Sequence, residues 1–195
     1  MDRKLKIALF GGTFDPPHNA HLELARLVRK KLYLDMIYFI PTAQHPLKAN
    51  QSITPVNVRI EMLSAALHNQ KYMRLSRIEV EKKNTSYTVD MIREFRTYEG
   101  LETADLYFIL GMDNLHEIHL WKEPQMLFDL VRVVVMKRPG YTILPEYADK
   151  VIQADLPLID ISSTEIRSRI KSGKPVTGML PPGVMEVIEK YRLYH

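Results

Sequence analysis

The segment GGTFDPPHNAHLELA, from Gly11 to Ala25, lies between an apolar run and a helical pattern, and it decides the fold. The run before it predicts a buried strand over residues 5–10 that ends at the two glycines. After the two prolines, apolar residues recur on one helical face, which predicts a helix over residues 19–31. A strand is therefore followed by a glycine turn and then by a helix.

The same alternation continues along the chain. Further strands are predicted over residues 36–40, 73–80, 106–110, 131–136 and 156–161. Further helices are predicted from Pro55, from Ser86 to about Glu99, from a cap at Ser162 or Ser163 to Gly173, and over residues 184–191. Such alternation favours an α/β fold, a Rossmann-like doubly wound parallel sheet with helices on both faces.

Three of the predicted strands end in loops that carry chemically informative residues. These loops begin at Gly11, Gly111 and Ile161. Because ligands of open parallel sheets bind at the carboxyl ends of the strands, we expect the three loops to build one site.

Length and composition narrow the class of protein. With 195 residues, 46% of them hydrophobic, the chain is expected to be a single domain over 1–195 with a small C-terminal helical part at about 162–195. The chain has no cysteine, which excludes disulfides and thiolate metal sites and fits a cytoplasmic location. No apolar stretch reaches about 18 residues, so no membrane partner is expected. The net charge of +4 suits either nucleic acid or a small phosphorylated ligand, and no nucleic-acid-binding motif is present.

His18 and His21 stand three residues apart where the first helix is predicted to begin. In a helix they share a face, so both imidazoles can donate hydrogen bonds to one anionic group. The preceding glycines let the backbone approach a ligand, and a helix N-terminus favours phosphate. The alternatives are a surface pair or two metal ligands, although no third ligand stands nearby. The G-x-G-x-x-G fingerprint of dinucleotide-binding oxidoreductases is absent.

The chain also resembles a known family. GGTFDPPHNAHL resembles the (G/S)-x-(T/S)-F-D-P-x-H-x-x-H signature of the nucleotidyltransferase superfamily with the T/H-x-G-H motif. The sequence ISSTEIR, which ends at Arg167, and the triplet Gly111-Met112-Asp113 resemble two further elements of that superfamily. Together with the triplet Ser86-Tyr87-Thr88, Trp121 and the chain length, the whole chain is similar to the bacterial nicotinate-nucleotide adenylyltransferases.

Three positions depart from the family pattern. The loop after the second predicted strand reads Gln44-His45-Pro46-Leu47-Lys48 where the family often has P-P-H-K, so the histidine is displaced and the role of His45 is left open. Ala20 stands where a glycine is often found, and Met112 occupies a position where smaller residues are commoner. Lys48 remains as a phosphate contact.

The resemblance implies transfer of the adenylyl group of ATP to nicotinate mononucleotide, giving nicotinate adenine dinucleotide and pyrophosphate in NAD biosynthesis. The attacking phosphate is already ionised, so positioning and electrostatic stabilisation can supply the catalysis without a general base. The implied catalytic residues are His18 and His21 on the ATP phosphates, Lys48 as an added charge, and Arg167 at the pyrophosphate end.

The resemblance also implies the binding residues. ATP contacts are expected from Gly11, Gly12, Thr13, Phe14, Gly111, Asp113, Ile161, Ser162, Ser163 and Thr164. Tyr87, Thr88 and Trp121 are expected to bind the pyridine nucleotide, with Trp121 stacked on its ring. The expected cofactor is Mg²⁺, held mainly by ATP oxygens and water with no protein ligand.

Other functions stay open at this point. A relative within the superfamily, such as a phosphopantetheine adenylyltransferase, would keep the histidines and change the acceptor. A nucleotide-binding regulator would bind ATP without turnover, and a nucleic-acid-binding module is the third alternative. The sequence leaves open the preference for nicotinate over nicotinamide mononucleotide, the formation of a homo-oligomer, and any movement of residues 42–54.

Overall fold

The strands of this protein form a parallel sheet. The computed structural model describes residues 3–43, 53–81, 87–137 and 140–195. The strands in these ranges are β1 (Lys6–Gly12), β2 (Met36–Pro41), β3 (Met73–Leu75), β4 (Asp105–Gly111), β5 (Arg132–Met136) and β6 (Val151–Ala154). They pair in the order β3-β2-β1-β4-β5-β6, and each of these pairings is parallel. The predicted Rossmann-like doubly wound fold is thereby confirmed.

Helices connect the strands and follow the last one. They are α1 (Asn19–Leu32), α2 (Val56–Leu67), α3 (Ile78–Glu81), α4 (Thr88–Tyr98), α5 (Met112–His116), α6 (Pro124–Leu130), α7 (Ser163–Lys171) and α8 (Val184–Lys190), with single 3₁₀ turns at Ile118–Leu120 and Pro145–Tyr147. None of the helices described is both long and apolar enough to span a membrane.

Alternate residues of β1 face opposite sides of the sheet, as the two-residue period of a strand requires. Ile7 and Leu9 belong to one buried core, which also contains Phe95 of α4. Ala8 and Phe10 belong to a second core, which includes residues of α1 and α2. Burial on both faces explains the continuous apolar run from which β1 was predicted.

The helices α7 and α8 pack against α2. Met62 of α2, Ile166 of α7 and Ile188 of α8 are almost fully buried in a third apolar cluster. As predicted, a serine caps α7: Oγ of Ser162 accepts a hydrogen bond from the N–H of Glu165 at 3.1 Å, an interaction worth about 1 kcal/mol. Helix α7 is therefore fixed at its N-terminus by the serine cap and along its buried face by contacts with α2.

The strand predicted over residues 73–80 is wrong beyond β3. The N–H of Ser76 donates to a carbonyl of β2 at 3.0 Å, and the chain then turns into the short helix Ile78–Glu81. Ile78 is 1% exposed, so this helical turn buries the apolar residue from which a longer strand was inferred. Short apolar runs suit either a strand or a buried helical turn, because the spacing alone does not separate them.

The final strand predicted over residues 156–161 is also wrong, because the last strand is β6 and it ends at Ala154. Pro157 has no N–H to donate to a strand ladder, and Leu158 is 63% exposed. Ile161 therefore follows an irregular connection rather than a strand, although the loop that contains it still reaches the site described below.

β1 includes Gly11 and Gly12, so the strand extends two residues beyond its predicted end at Phe10. Gly12 pairs with Pro41 of β2, and Gly111 is likewise the last residue of β4. A Cβ atom on Gly12 would lie 3.0 Å from the ring of Phe14. Glycine therefore lets the aromatic side chain of the following loop pack back against the strand.

Candidate active site

The strand order places the ends of β1 and β4 side by side at the centre of the sheet. The chain leaves β1 for β2 on one side and reaches β4 on the other, so this is the topological switch point where open parallel sheets bind ligands. Gly11 and Gly111, two of the three predicted loop origins, lie here. A Cβ on Gly11 would lie 3.6 Å from the ring of Phe108 on β4, so the two strand ends are in contact.

Residues 13–18 form the loop that joins β1 to α1. Phe14 adopts a positive φ of 49°, and the Asp15–Pro16 peptide bond is cis. The Phe14 ring packs edge-on against Phe10 and against His21, at centroid distances of 5.7 and 5.0 Å. An aromatic contact therefore links the loop to the first turn of the following helix.

His18 and His21 come together at the start of α1, but His18 is the residue that caps the helix rather than a member of it. The backbone N–H of His18 donates to Nδ1 of His21 at 3.2 Å. The two imidazoles stack with centroids 3.6 Å apart and planes inclined by 21°. Since Nδ1 of His21 accepts a hydrogen bond, the neutral ring carries its proton on Nε2.

The loop that precedes α7 is bonded directly to the loop after β1. Oγ of Ser163 donates to the carbonyl oxygen of Pro16 at 2.9 Å. Nη1 of Arg167 donates to the carbonyl oxygen of Asp15 at 2.7 Å, and Nη2 lies 3.4 Å from Oγ1 of Thr164. The two sequence motifs predicted to share a site are therefore in contact, through bonds that span 147 and 152 positions of the chain.

Asp113 lies in the first turn of α5, directly after β4, with Gly111 as the residue that caps this helix. Asp113 is half-buried and Gly111 is buried. The structure therefore brings the G-x-D triplet to the same edge of the sheet as Gly11 and Gly12.

The predicted pyridine-nucleotide residues lie on the face of the sheet opposite to α1. Tyr87 caps α4 and Thr88 is its first residue, whereas Ser86, the predicted cap, lies outside the described residues. Trp121 is half-buried and packs edge-on against Phe108, with centroids 6.4 Å apart. Nζ of Lys122, the residue that follows Trp121, lies 5.2 Å from the centre of the Tyr87 ring.

Two of the predictions cannot be compared with the structure. Lys48 and His45 both lie outside the described residues. Within the described ranges, no group of three or more histidine, cysteine, aspartate or glutamate side chains is placed to hold a metal ion.

Sequence reasoning missed a polar cluster behind the loop. Arg59 of α2 is 2% exposed and donates to the carbonyl oxygens of Thr13 and Thr42, both at 2.7 Å. The hydroxyl of Tyr194 donates to Oδ1 of Asp15 at 2.5 Å. An arginine between two apolar residues of α2 was the one available sequence signal, and nothing in the sequence pointed to Tyr194.

Burial dominates the electrostatics of this cluster. It lowers the pKa of Arg59, while the negative charge of Asp15 acts in the opposite direction. Burial also raises the pKa of Tyr194, and its hydrogen bond to Asp15 adds to that rise. Tyr194 is therefore a neutral hydrogen-bond donor to a buried carboxyl group near neutral pH.

Comparison with known proteins identifies the family of this chain. A family model described as "Cytidylyltransferase-like" matches residues 9–169. A Clostridium tetani protein named "Probable nicotinate-nucleotide adenylyltransferase" is 41% identical over 97% of this chain and 98% of its own. A Bacillus pumilus protein of the same name is 39% identical over 97% of this chain and 98% of its own.

A solved structure shows the same fold. It is the Plasmodium falciparum nicotinic acid mononucleotide adenylyltransferase complexed with NaAD, with a TM-score of 0.80 at 21% identity over 97% of both chains. The fold, the family model and the two bacterial relatives all agree. This chain therefore belongs to the cytidylyltransferase-like family and, within it, to the nicotinate-nucleotide adenylyltransferases.

Proposed function

We propose that this protein transfers the adenylyl group of ATP to nicotinate mononucleotide, forming nicotinate adenine dinucleotide and pyrophosphate in NAD biosynthesis. Family membership over nearly the whole chain supports this reaction. The observation that carries it is the stacked pair His18 and His21 at the switch point of the sheet, with Arg167 bonded to the carbonyl of Asp15 in the loop that leads to them. Such a cluster of donors suits the charge of a triphosphate.

In this reaction a phosphate oxygen of nicotinate mononucleotide forms a bond to the α-phosphorus of ATP. The bond from that phosphorus to the oxygen bridging to the β-phosphate breaks, and its electron pair leaves with pyrophosphate. The attacking phosphate monoester is already ionised near pH 7, so no side chain has to remove a proton from it. The enzyme has to bring two anions together and stabilise the charge that gathers between them.

The two histidines have different tasks in this proposal. His21 uses Nδ1 to accept the N–H of His18, which leaves the proton on Nε2 for donation to a phosphate oxygen. His18 is 5% exposed and stacks on His21, which fixes the position of the His21 ring. In this proposal His18 is also the histidine that contacts the α-phosphate of ATP. Lys48 would add a further positive charge.

Arg167 is proposed to bind the departing pyrophosphate. A guanidinium carries five N–H donors, and its bonds to Asp15 and Thr164 use only part of that capacity. These bonds fix the plane of the side chain before the ligand arrives. A preset arginine loses less conformational entropy when it meets phosphate.

The other ATP contacts are proposed to be mostly main-chain ones. Ser162 accepts the N–H of Glu165 and Ser163 donates to Pro16, so both hydroxyls already stabilise the loop. Gly11 and Gly12 let the backbone approach the phosphates. We place the ribose near Gly111 and Asp113. The remaining proposed contacts come from Thr13, Phe14, Ile161 and Thr164.

The proposed pyridine-nucleotide site uses the face that carries Trp121. Its ring would stack on the pyridine, and the N-terminus of α4 at Tyr87 and Thr88 would meet the carboxylate of nicotinate. α4 has 11 residues, so its N–H groups and dipole favour a carboxylate over a neutral amide.

Mg²⁺ is proposed to accompany ATP. The donor set near the switch point consists mainly of imidazole, guanidinium and hydroxyl groups, and the Asp15 carboxyl group is engaged by Tyr194 and Thr54. This set fits an ion that is held mainly by the nucleotide and water. When bound, the ion would screen the negative charge of the triphosphate. A cytoplasmic location, where ATP is available, is part of the same proposal, and neither nucleic acid nor a membrane is proposed as a partner.

The test measures pyrophosphate release with ATP and Mg²⁺. Nicotinate mononucleotide, nicotinamide mononucleotide and phosphopantetheine are offered in parallel. We expect release with nicotinate mononucleotide and much slower release with the amide. Pyrophosphate release with phosphopantetheine alone would show that nicotinate mononucleotide is not the acceptor, while leaving the proposed roles of the two histidines in place. No release with any acceptor would favour a nucleotide-binding regulator.

A further inference from the structure

Arg59 is a buried charge whose described hydrogen bonds go to the main chain. Its Nε donates to the carbonyl oxygen of Thr54 at 2.9 Å, and its two Nη atoms donate to those of Thr13 and Thr42. Burying a guanidinium is costly, and an apolar side chain of similar volume often gives equal or greater stability. The three carbonyls belong to three separate segments: the residues directly after β1 and β2 and the segment before α2. The guanidinium therefore fixes the relative position of these segments.

The side chain of Asp15 is bonded to the same segment before α2 that Arg59 contacts. It is 5% exposed. Its Oδ1 accepts the hydroxyl of Tyr194 at 2.5 Å, and its Oδ2 accepts the N–H of Thr54 at 3.1 Å. Its carbonyl oxygen accepts Arg167 at 2.7 Å. Asp15 is therefore tied both to the helical part after β6 and to the segment before α2.

Helix α8 brings Tyr194 to the loop. Ile188 is fully buried against α2, and its carbonyl accepts the N–H of Leu193 at 2.9 Å. Glu61 of α2 accepts hydrogen bonds from Nζ of Lys190 at 2.7 Å and from the hydroxyl of Tyr191 at 2.9 Å. Apolar and polar contacts thus fix the segment from which Tyr194 extends, so α2 and α8 together form one support for the loop.

We propose that Tyr194, through Asp15, and Arg59, through Thr13 and Thr54, are positioning residues for adenylyl transfer that set the place of His18 and His21. This inference rests on the proposed function for its kinetic consequence. Two prolines separate Asp15 from His18. Because proline has a fixed φ, a displacement of Asp15 is transmitted to the histidine rather than absorbed between them. A catalytic group misplaced by about 1 Å can cost about 100-fold in rate.

The first variant is Tyr194→Phe, which removes one hydroxyl and keeps the ring. Tyr191→Phe is the matched control, since it removes a hydroxyl bond to Glu61 on the same helix pair, away from the loop. We expect Tyr194→Phe to lower kcat about tenfold while the KM for ATP changes less than about twofold. Tyr191→Phe is expected to leave kcat unchanged. A purely structural role would lower the midpoint of thermal unfolding in both variants and would leave kcat of the folded protein unchanged.

The second variant is Arg59→Lys, because an ammonium keeps the charge and cannot donate to three carbonyls with the planar geometry of a guanidinium. Here too kcat should fall with little change in KM. If this variant does not fold, Tyr194→Phe still decides the question. Unchanged kcat in folded Tyr194→Phe, or an equal loss in Tyr191→Phe, would overturn the proposal.

A readout independent of turnover separates this inference from the proposed function. Imidazole nitrogen NMR signals report which ring nitrogen is protonated and which accepts a hydrogen bond. We expect Tyr194→Phe to shift the signals of His18 and His21, and Tyr191→Phe to leave them unchanged. If the wild-type protein releases no pyrophosphate, the reaction is wrong, and these shifts still test the positioning. Identical histidine signals in wild type and Tyr194→Phe would contradict it.

Discussion

The backbone N–H of His18 donates to Nδ1 of His21 at 3.2 Å, and the two rings stack at 3.6 Å. One imidazole therefore both stabilises the start of α1 and presents a donor on its opposite nitrogen. The bond also sets the tautomer, because a ring that accepts at Nδ1 must donate from Nε2 when neutral. The structural and the chemical task of His21 can be separated by mutation.

The variant His21→Asn should separate these two tasks. Its Oδ1 can take the position of Nδ1 and accept the N–H of His18, while the donor at Nε2 is lost. We expect kcat to fall by about 100-fold, the usual cost of removing one donor to a charged transition state. Steady-state kinetics with ATP and nicotinate mononucleotide measures the change in kcat, and urea unfolding measures the change in unfolding free energy.

His21→Ala serves as the comparison, because it loses the bond to His18 as well. This variant should show the same fall in kcat and also lose about 1 kcal/mol of unfolding free energy, the usual value of a helix cap. Equal kcat in wild type and His21→Asn would remove His21 from the chemistry.

Arg167→Lys tests the charge proposed for the pyrophosphate end. Lysine cannot hold the carbonyl of Asp15 and a phosphate at once with the planar fork of arginine. We expect kcat/KM for ATP to fall at least about tenfold, since a charge-assisted hydrogen bond contributes about 1.5–3 kcal/mol. Arg169→Lys on the same helix is the control, because Arg169 pairs with Glu165 at 2.9 Å. Similar kinetics in the two variants would assign Arg167 to the surface of α7.

The sequence predicted the centre of the fold well because the relevant signals are local. The four consecutive apolar residues Ile7–Phe10 of β1, two glycines and a helical periodicity lie within one stretch of chain. The contact of Ser163 with Pro16 was also foreseeable, since loops after parallel strands meet at one edge. The strand predicted over residues 156–161 is wrong because Pro157 cannot donate to a strand ladder, although apolar residues surround it.

The support behind the loop could not be predicted, because its members are distant in sequence and ordinary in type. Asp15 and Tyr194 lie 179 positions apart. Arg59 is a charged residue on a helix, and such residues are mostly solvent-exposed. Only the packing of α2 against α8 shows that the buried Arg59 and the half-buried Tyr194 lie behind the same loop.

The ion pair between Glu61 of α2 and Lys190 of α8 should make the free energy of unfolding depend on pH in the acid range. Hydrogen bonds from Lys190 and then Tyr191 lower the pKa of Glu61 below its usual value. A carboxyl group with a lowered pKa in the folded state stabilises the protein above its unfolded pKa of about 4.3, and this contribution is lost as pH falls through the folded pKa. We therefore expect wild type and Glu61→Gln to differ in unfolding free energy near pH 7 and to converge in acid. Urea unfolding across this range measures the difference, and a gap independent of pH would contradict the assignment.

Trp121 is the only tryptophan in the chain, so its fluorescence reports on the proposed pyridine site directly. Its ring packs edge-on against Phe108, which leaves it half-buried at the edge of the core. We expect nicotinate mononucleotide to quench this emission by stacking, while ATP alone changes it little. Trp121→Ala should raise the KM for nicotinate mononucleotide about tenfold, in line with the roughly 1–3 kcal/mol of a base stacked on an aromatic ring. Trp121→Phe keeps an aromatic surface and should recover most of that loss. Unchanged emission at a concentration of nicotinate mononucleotide that calorimetry shows to be saturating would place the pyridine ring elsewhere.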